Sequence, residues 1–435
     1  MPKYTKADIS NFFDEIKEYN YLCKGCGVCV GACPTDSLSM ISNKYAEQLA
    51  VFDETECISC GKCTIICPGK DIFPLKDKSP IGKNLGIYLA FSNSLDQRQA
   101  GSSGGVISAL SSYAIENGLA DKTIMLNSSD SPTQPIPFHA KNRDDISKCA
   151  SSKYVYYPIG DQIKYLQKDT IITTLPCQAS GIRKTTKKGI VFGLFCSKAA
   201  TKELVHYVAK KEAIPLAEIT AINYRSGNWP GYVSLKTDKT EVKIPYNRSY
   251  YTASFNSSLF SPQACLFCND YMSDKADISF GDPWSKHLNK ELKDTPGHSL
   301  VIVRTERGNE LFQKAIDDGV ITVSEISEEI VIEGHLSGIF SKRSGLQKRI
   351  DWLKKHNMPV PNYSKEDIIP ASYQSLIWEK FYIYNSFFFK QKGYYKIISL
   401  YPKWYMFFRR FSVASFQRYF VKKSNYLHKI MKSNG

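Results

Sequence analysis

The chain has 435 residues, 43% of them hydrophobic and 23% charged; these ordinary globular proportions leave room for two or three cored domains and exclude bulk disorder. The net charge of +15 is uneven, because positions 371–435 hold twelve Lys or Arg against one acid, Glu379, so this tail supplies +11 and the rest is only mildly basic. That distribution argues against a nucleic-acid-binding body, and no apolar run of about 18 residues suggests a membrane-spanning helix.

The opening stretch MPKYTKADISNFFDEIKEYN lacks the apolar core of a secretion signal and reads as an amphipathic helix. Thirteen cysteines without such a signal point to metal ligation in a reducing compartment, so a cytoplasmic protein is expected. Eight of them fall in two runs, CKGCGVCVGACP (Cys23–Pro34) and CISCGKCTIICP (Cys57–Pro68), each spaced C-x2-C-x2-C-x3-C-P. Three thiolates from one tight loop reach one cubane, and the fourth cysteine, followed by Pro, reaches the other. Cys23, Cys26, Cys29 and Cys67 are therefore expected to hold one [4Fe–4S] cluster, and Cys57, Cys60, Cys63 and Cys33 a second. Structural zinc also uses paired C-x2-C units but seldom two interleaved runs of four. The pattern resembles the bacterial two-cluster ferredoxin, a module that ends near position 75, leaving some 360 residues to follow.

After a Pro- and Lys-rich linker, FPLKDKSPIGKN (Phe73–Asn84), LGIYLAFS reads as a strand. AGSSGGVISALSSYAIENGL is a Gly/Ser loop running into a helix, and KTIMLN is the next strand. Such a loop at a helix N-terminus suits a phosphate or diphosphate, and a plain helix-start turn reads equally well. DTIITTLPCQASGIRK is a buried strand ending at Pro176-Cys177-Gln178 and a helix start; GIVFGLFCSK is a second strand, ending on Cys196. ITAINYRSGNWPGYVSLKT reads as β structure broken by turns, and CLFCNDYMSDKADISFGDPWS carries Cys265 and Cys268. Strands alternating with helices, then shorter strands, predict an α/β body with added β pieces, α+β taken over the whole chain. Cys177, Cys196, Cys265 and Cys268 can surround a third metal centre; the competing reading makes Cys177 and Cys196 small buried hydrophobes. Cys149 reads as packing. GDPW sets Asp282, the acidic catalytic candidate, and Trp284 at a substrate face, or else in a tight turn with a core Trp. No Ser-His-Asp pattern and no H-E-x-x-H is present, so hydrolysis has no support.

About a third of the tail beyond Ala371 is Phe, Tyr or Trp, interleaved with its basic residues. Three readings are open. An interfacial helical anchor on the anionic cytosolic membrane face is the first, broken at Pro402. Docking on the chain's own body or an acidic partner is the second, and stacking on nucleic acid the third.

Taken together, SSGGVISAL, SSKYV, LPCQ, YRSGNW, CLFCND and ADISFGDPW, over roughly Cys23 to Arg307, resemble the coenzyme F420 hydrogenase/dehydrogenase beta-subunit family. The resemblance implies an FAD-binding body beside iron–sulfur clusters, exchanging electron pairs with an organic partner. It further implies that Ser102, Ser103, Gly104 and Gly105 cradle FAD phosphates and that Ser152, Lys153 and Tyr154 lie by the flavin. There Lys153 would stabilise negative charge on the reduced ring. The expected divisions are a ferredoxin-type domain at 1–75, two parts of the FAD body at 85–160 and 161–345, and a basic aromatic helical tail at 346–435. The expected function is an iron–sulfur flavoenzyme passing electrons from a ferredoxin-like donor to an organic substrate, in surface-polysaccharide biosynthesis. Its redox rival is an electron-transfer subunit of a larger F420- or ferredoxin-linked complex, with the use of F420 itself left open. The rival from another class is a nucleic-acid-binding protein with structural clusters.

Overall fold

A computed structural model describes residues 4–405, apart from 73, 75–78, 130, 248, 365–366, 371–375, 391 and 394–396. Part of the expected linker and tail positions 406–435 lie outside the described residues.

The N-terminal stretch forms the helix Lys6–Glu18, buried along Ile9, Phe13 and Ile16, a spacing that lines up one helical face. Thr5 and Asp8 cap its start reciprocally: the Asp8 amide donates to Thr5 Oγ1 (3.1 Å) and the Thr5 amide to Asp8 Oδ2 (2.9 Å). The two cysteine loops follow, each opening a short helix, Val28–Ala32 and Lys62–Ile65. Between them lies a hairpin of β1 (Leu38–Ser42) and β2 (Gln48–Phe52).

The body is built on an eight-stranded mixed sheet. Its strands are β3 (Gly86–Ser92), β4 (Lys122–Asn127), β5 (Ile136–Ala140), β6 (Thr170–Thr174) and β7 (Ile190–Leu194), then β11 (Ile278–Gly281), β12 (Ser299–Val303) and β13 (Ile321–Glu325). The order is β13-β3-β12-β11-β7-β6-β4-β5, with β4, β6, β7 and β11 parallel and the flanking pairings antiparallel. Alternating side chains serve opposite faces. Ile171, Phe192, Val301 and Val303 pack on the helices Val106–Glu116 and Glu306–Asp317. Their neighbours Ile172 and Val191 meet the helix Pro176–Thr185 together with Val28 and Ile66 of the ferredoxin-like module, while Leu300 and Ile302 meet the helix Glu328–Arg343. The module is thus part of the wall covering the sheet. A smaller antiparallel sheet, β8 (Ala221–Ser226), β9 (Tyr232–Lys236) and β10 (Glu241–Pro245), builds a second lobe.

The described part of the tail lies on the body. Tyr382 joins the core formed by the N-terminal helix and the helix Gly345–Lys355, and Ile398 is buried in the lobe around β8 to β10. The helical turn Ile398–Leu400 ends just before Pro402, where an interior Pro cannot continue it.

Candidate functional site

The loops holding the eight N-terminal cysteines turn on glycines that no larger residue replaces without a clash. Gly27 has φ +80°, and a Cβ there would stand 2.3 Å from the Pro158 carbonyl oxygen, so the first loop seats directly on the body. Amides are aimed at equivalent sulfurs in the two repeats: Gly25 N to Cys23 Sγ and Ser59 N to Cys57 Sγ, both 3.4 Å. Cys23, Cys26, Cys29 and Cys67 line one small cavity, together with Cys63 of the second run, walled by Phe13, Ile16 and Ala50. Burial pushes the Cys23 thiol up to about 11, with the Ala50 amide opposing and Cys67 adding. Cys26 and Cys29 are held well above the usual thiol range, first by burial and then by neighbouring sulfurs. Cys63 is pushed to about 12 by burial and then Cys60, with Cys33 and Cys57 contributing. Thiolates that raise one another this way are stable together only around positive charge, which iron supplies. The fold brings the two runs side by side, Cys67 acting on Cys23 and Cys33 on Cys63 across them. Among the described residues, no three Cys, His, Asp or Glu side chains form a site for a metal ion by themselves; the sulfurs of the first set stand about a cavity, as four thiolates around a cubane do.

A third thiol set lies deeper. Cys177 sits in the first turn of the helix after β6, Cys196 two residues beyond β7, and Cys265 and Cys268 on a short turn and its end. Burial pushes Cys177 up to about 12, with Cys268 and Cys265 adding. Cys196 is raised well above its usual range by burial; Lys342 opposes this and Cys265, Cys177 and Cys268 reinforce it. The four are therefore neighbours, and Cys177 in turn raises Cys26 of the first set. Two buried lysines flank them. Lys24, inside the first cysteine loop, donates to the carbonyl oxygens of Ala264 (3.1 Å) and Phe267 (2.7 Å), and Lys342 donates to that of Cys265 (3.1 Å). Tyr156 bridges the sets, its hydroxyl donating to the Lys24 carbonyl at 2.8 Å and lying 3.8 Å from Cys177 Sγ.

Cys196 also lines a cavity of about 290 Å³ at the carboxyl ends of β6, β7 and β11, where open α/β sheets place ligands. Ser102, Ser103, Gly105, Ser152, Lys153, Tyr154, Asp282 and Trp284 line it as well, so the separate SSGG, SSKY and GDPW motifs converge on one space. Their junction is direct: the Ser152 amide donates to Ser102 Oγ at 2.7 Å, and Ser102 and Ser151 hydroxyls are 3.1 Å apart. Gly104 departs from the expectation. Its amide donates to Ser299 Oγ (3.0 Å), and a Cβ would meet the Ala90 carbonyl oxygen at 2.4 Å, so it packs the loop against β3 and β12 and does not line the cavity.

Lys153 is half-buried. Its ammonium donates to the carbonyl oxygens of Cys149 (2.9 Å), Ala150 and Ser151 (3.1 Å), closing the end of the helix Arg143–Cys149. Burial lowers it to about 8, with the Cys149 sulfur opposing. All three of its protons are thus used within the loop. Cys149 packs in a buried cluster, as read from the sequence. Asp282 is likewise engaged, accepting from Arg225 Nη1 at 2.7 Å, while its carbonyl oxygen is 2.9 Å from His335 Nε2. Arg225 is buried among the rings of Tyr246 (4.2 Å), Trp229 (4.9 Å) and Trp284 (5.3 Å). Trp284 stacks on Tyr246 with ring centroids 5.9 Å apart. Sequence reasoning missed Arg225, His335, Lys24 and Lys342 as site residues. The signal for Arg225 was a charge inside the apolar strand β8, and for Lys24 its place between two cluster ligands.

A ferredoxin-like module seated on a mixed α/β body, with thiol sets running from the module to a pocket at strand ends, is the architecture of an iron–sulfur oxidoreductase. Residues 22–70 match the 4Fe-4S dicluster domain; 87–164 and 167–329 match the N-terminal and C-terminal parts of the coenzyme F420 hydrogenase/dehydrogenase beta subunit. The chain belongs to that family. It is 27% identical over 269 residues to a coenzyme F420 hydrogenase subunit beta from Methanosarcina barkeri, covering 57% of this chain and 84% of that protein. A coenzyme F420-dependent sulfite reductase from Methanocaldococcus jannaschii is 24% identical over 318 residues, 67% of this chain and 45% of that protein. Among solved structures, a chain of the F420-reducing [NiFe] hydrogenase complex from Methanosarcina barkeri superposes with a TM-score of 0.51 at 25% identity, covering 65% of this chain and 97% of that one. Among the described residues no helix is long and apolar enough to cross a membrane.

Proposed function

We propose that the chain is the electron-transfer, beta-type component of a redox assembly, moving electrons between a ferredoxin-like partner and an organic hydride carrier. The observation that supports this most is the series of thiol sets: Cys60 is exposed at one end, Cys26 neighbours Cys177 in the interior, and Cys196 stands in the wall of the large cavity at the other. Held by these three sets, [4Fe–4S] clusters would carry single electrons, and FAD in the cavity would exchange them for two-electron chemistry.

The chain's own residues supply holding and electrostatics. Ser102, Ser103 and Gly105 open the helix Val106–Glu116 into the cavity, where hydroxyls and free amides suit a diphosphate. Lys153, in the cavity wall, would favour a flavin there by its charge and by fixing the loop 149–152. Asp282 serves as the counter-ion that keeps Arg225 and its aromatic neighbours in order, a positioning role in place of the catalytic role first expected. Lys24 and Lys342 offset the negative charge of the third set.

The relatives carry names from hydrogenase and sulfite-reductase chemistry, so they favour this subunit reading over the surface-polysaccharide setting. Coenzyme F420, which appears in those names, is a candidate hydride carrier of the right class. The test is anaerobic purification of the full chain, identification of the flavin released by acid, and stopped-flow reduction by a reduced ferredoxin. The protein is expected to release FAD, and Cys196→Ser to keep it while reducing it far more slowly. Absence of flavin, or an unchanged reduction rate in Cys196→Ser, would refute the scheme.

A further inference from the structure

The described residues between 376 and 405 have some side chains buried against the body and others exposed. On the inner side, Asn385 Nδ2 donates to the Ser257 carbonyl at 2.7 Å, Lys390 pairs with Glu47, and Ile398 is fully buried. Large apolar groups are left exposed there: Phe388, Ile397, Leu400 (74% exposed) and Trp404 (59% exposed). From Leu400 to Trp404 every residue is exposed, Lys403 among them. Basic groups border the patch, Lys392 lying 4.2 Å from the Phe388 ring and Lys403 2.8 Å from the Glu212 carboxylate. The one tail acid, Glu379, is buried beside Arg349, so it contributes nothing to the outer charge.

We propose that this outer face docks on an anionic lipid surface. Trp and Tyr favour the headgroup layer, Leu and Ile gain from apolar depth, and lysines at the rim meet lipid phosphates. Nucleic acid would stack on the rings but leave Leu400 and Ile397 in water. Positions 406–435 continue the same composition, with seven Lys or Arg, seven aromatic residues and no acid. The inference stands apart from the redox reading, since neither clusters nor flavin enter it.

The test is sedimentation of the purified full chain with vesicles of phosphatidylcholine, with or without phosphatidylglycerol, at low and high salt. The protein is expected to pellet with the phosphatidylglycerol vesicles, and less so as salt rises. Leu400→Asp/Trp404→Asp should lower the partition coefficient about tenfold or more, an equivalent of ~1.4 kcal/mol, with iron content and visible spectrum unchanged. Both side chains are exposed, so the variant is not expected to disturb folding. Failure of the full chain to bind at low salt, or equal binding by the double variant, would overturn the proposal. Retention by RNA in preference to vesicles at matched salt would overturn it too. So would a dimer in solution that the double variant converts to monomer while vesicle binding persists.

Discussion

Removing the Glu379 carboxylate should loosen the tail from the body and lower the stability of the whole module–tail junction. Arg349 Nη1 stands 3.0 Å from Glu379 Oε2, and both side chains are out of solvent. Burial raises the Glu379 carboxyl above its usual value, with Arg349 and Lys198 pulling it back, so its charge depends on these cations. Arg349 also donates to Ser341 Oγ at 3.3 Å and to the Ser341 carbonyl, so it is held in place when its counter-ion is lost. Glu379→Ala then leaves a buried, uncompensated guanidinium, at a loss of roughly 3–5 kcal/mol, whereas replacing both partners by apolar residues of similar volume is about neutral. For a cooperative unit of about 150–250 residues each kcal/mol moves Tm by ~2–4 °C, so a fall of roughly 10 °C is expected. Thermal unfolding followed by circular dichroism under anaerobic conditions measures it for Glu379→Ala, Arg349→Met and the pair Arg349→Met/Glu379→Leu. The pair should recover most of the loss. A fall below about 2 °C for Glu379→Ala, or a pair no better than the single variants, would refute the reasoning. By the same logic a cut after position 370 strips Tyr382 and Ile398 from two cores, so membrane tests belong with surface substitutions.

Three further outcomes follow from the site. Burial lowers His335 to about 4; the unfolded chain therefore binds a proton that the folded chain refuses between about pH 6.5 and 4. Stability should fall as pH drops through that window, by ~3 kcal/mol in total; His335→Gln should flatten that part of the stability–pH curve, and an unchanged slope would count against the assignment. Lys24→Met should lower the midpoint potential of the interior centre, on the order of tens of millivolts, since it removes a buried positive charge that interacts with Cys268, Cys177 and Cys265. A spectroelectrochemical titration with no shift would remove Lys24 from that role. Lys153→Met should reduce flavin occupancy at unchanged iron content, because it frees the carbonyls that shape the loop 149–152; equal flavin per chain would contradict this.

The parts of the fold carried by local chemistry were legible in advance. The cysteine spacing marked the 4Fe-4S dicluster module, since loop geometry within twelve residues leaves few ways to arrange four sulfurs. The apolar runs around Ile87, Ile124, Ile172 and Val191 marked strands of the large sheet because both of its faces are covered. Sequence-distant encounters were less legible. Nothing local says that Cys177 lies beside Cys26, that the amide of Gly104 turns to Ser299, or that Lys153 spends its protons on its own loop. Arg225 and Lys342 look like surface charges until their strand and helix are packed. The tail misled for a similar reason: its aromatics serve two faces, and composition does not separate those buried around Tyr382 from those left outside near Trp404.

The central claim is an unbroken series of three thiol-held centres from Cys60 to the cavity wall, and iron counting tests it most directly. Iron and acid-labile sulfide per chain, measured on anaerobically purified protein together with EPR of the reduced state, should give about twelve iron atoms for the natural chain. Cys177→Ser should give about eight, with the signals of the two N-terminal clusters intact. About eight iron atoms in both proteins, with identical spectra, would contradict the third centre and break the path to the pocket.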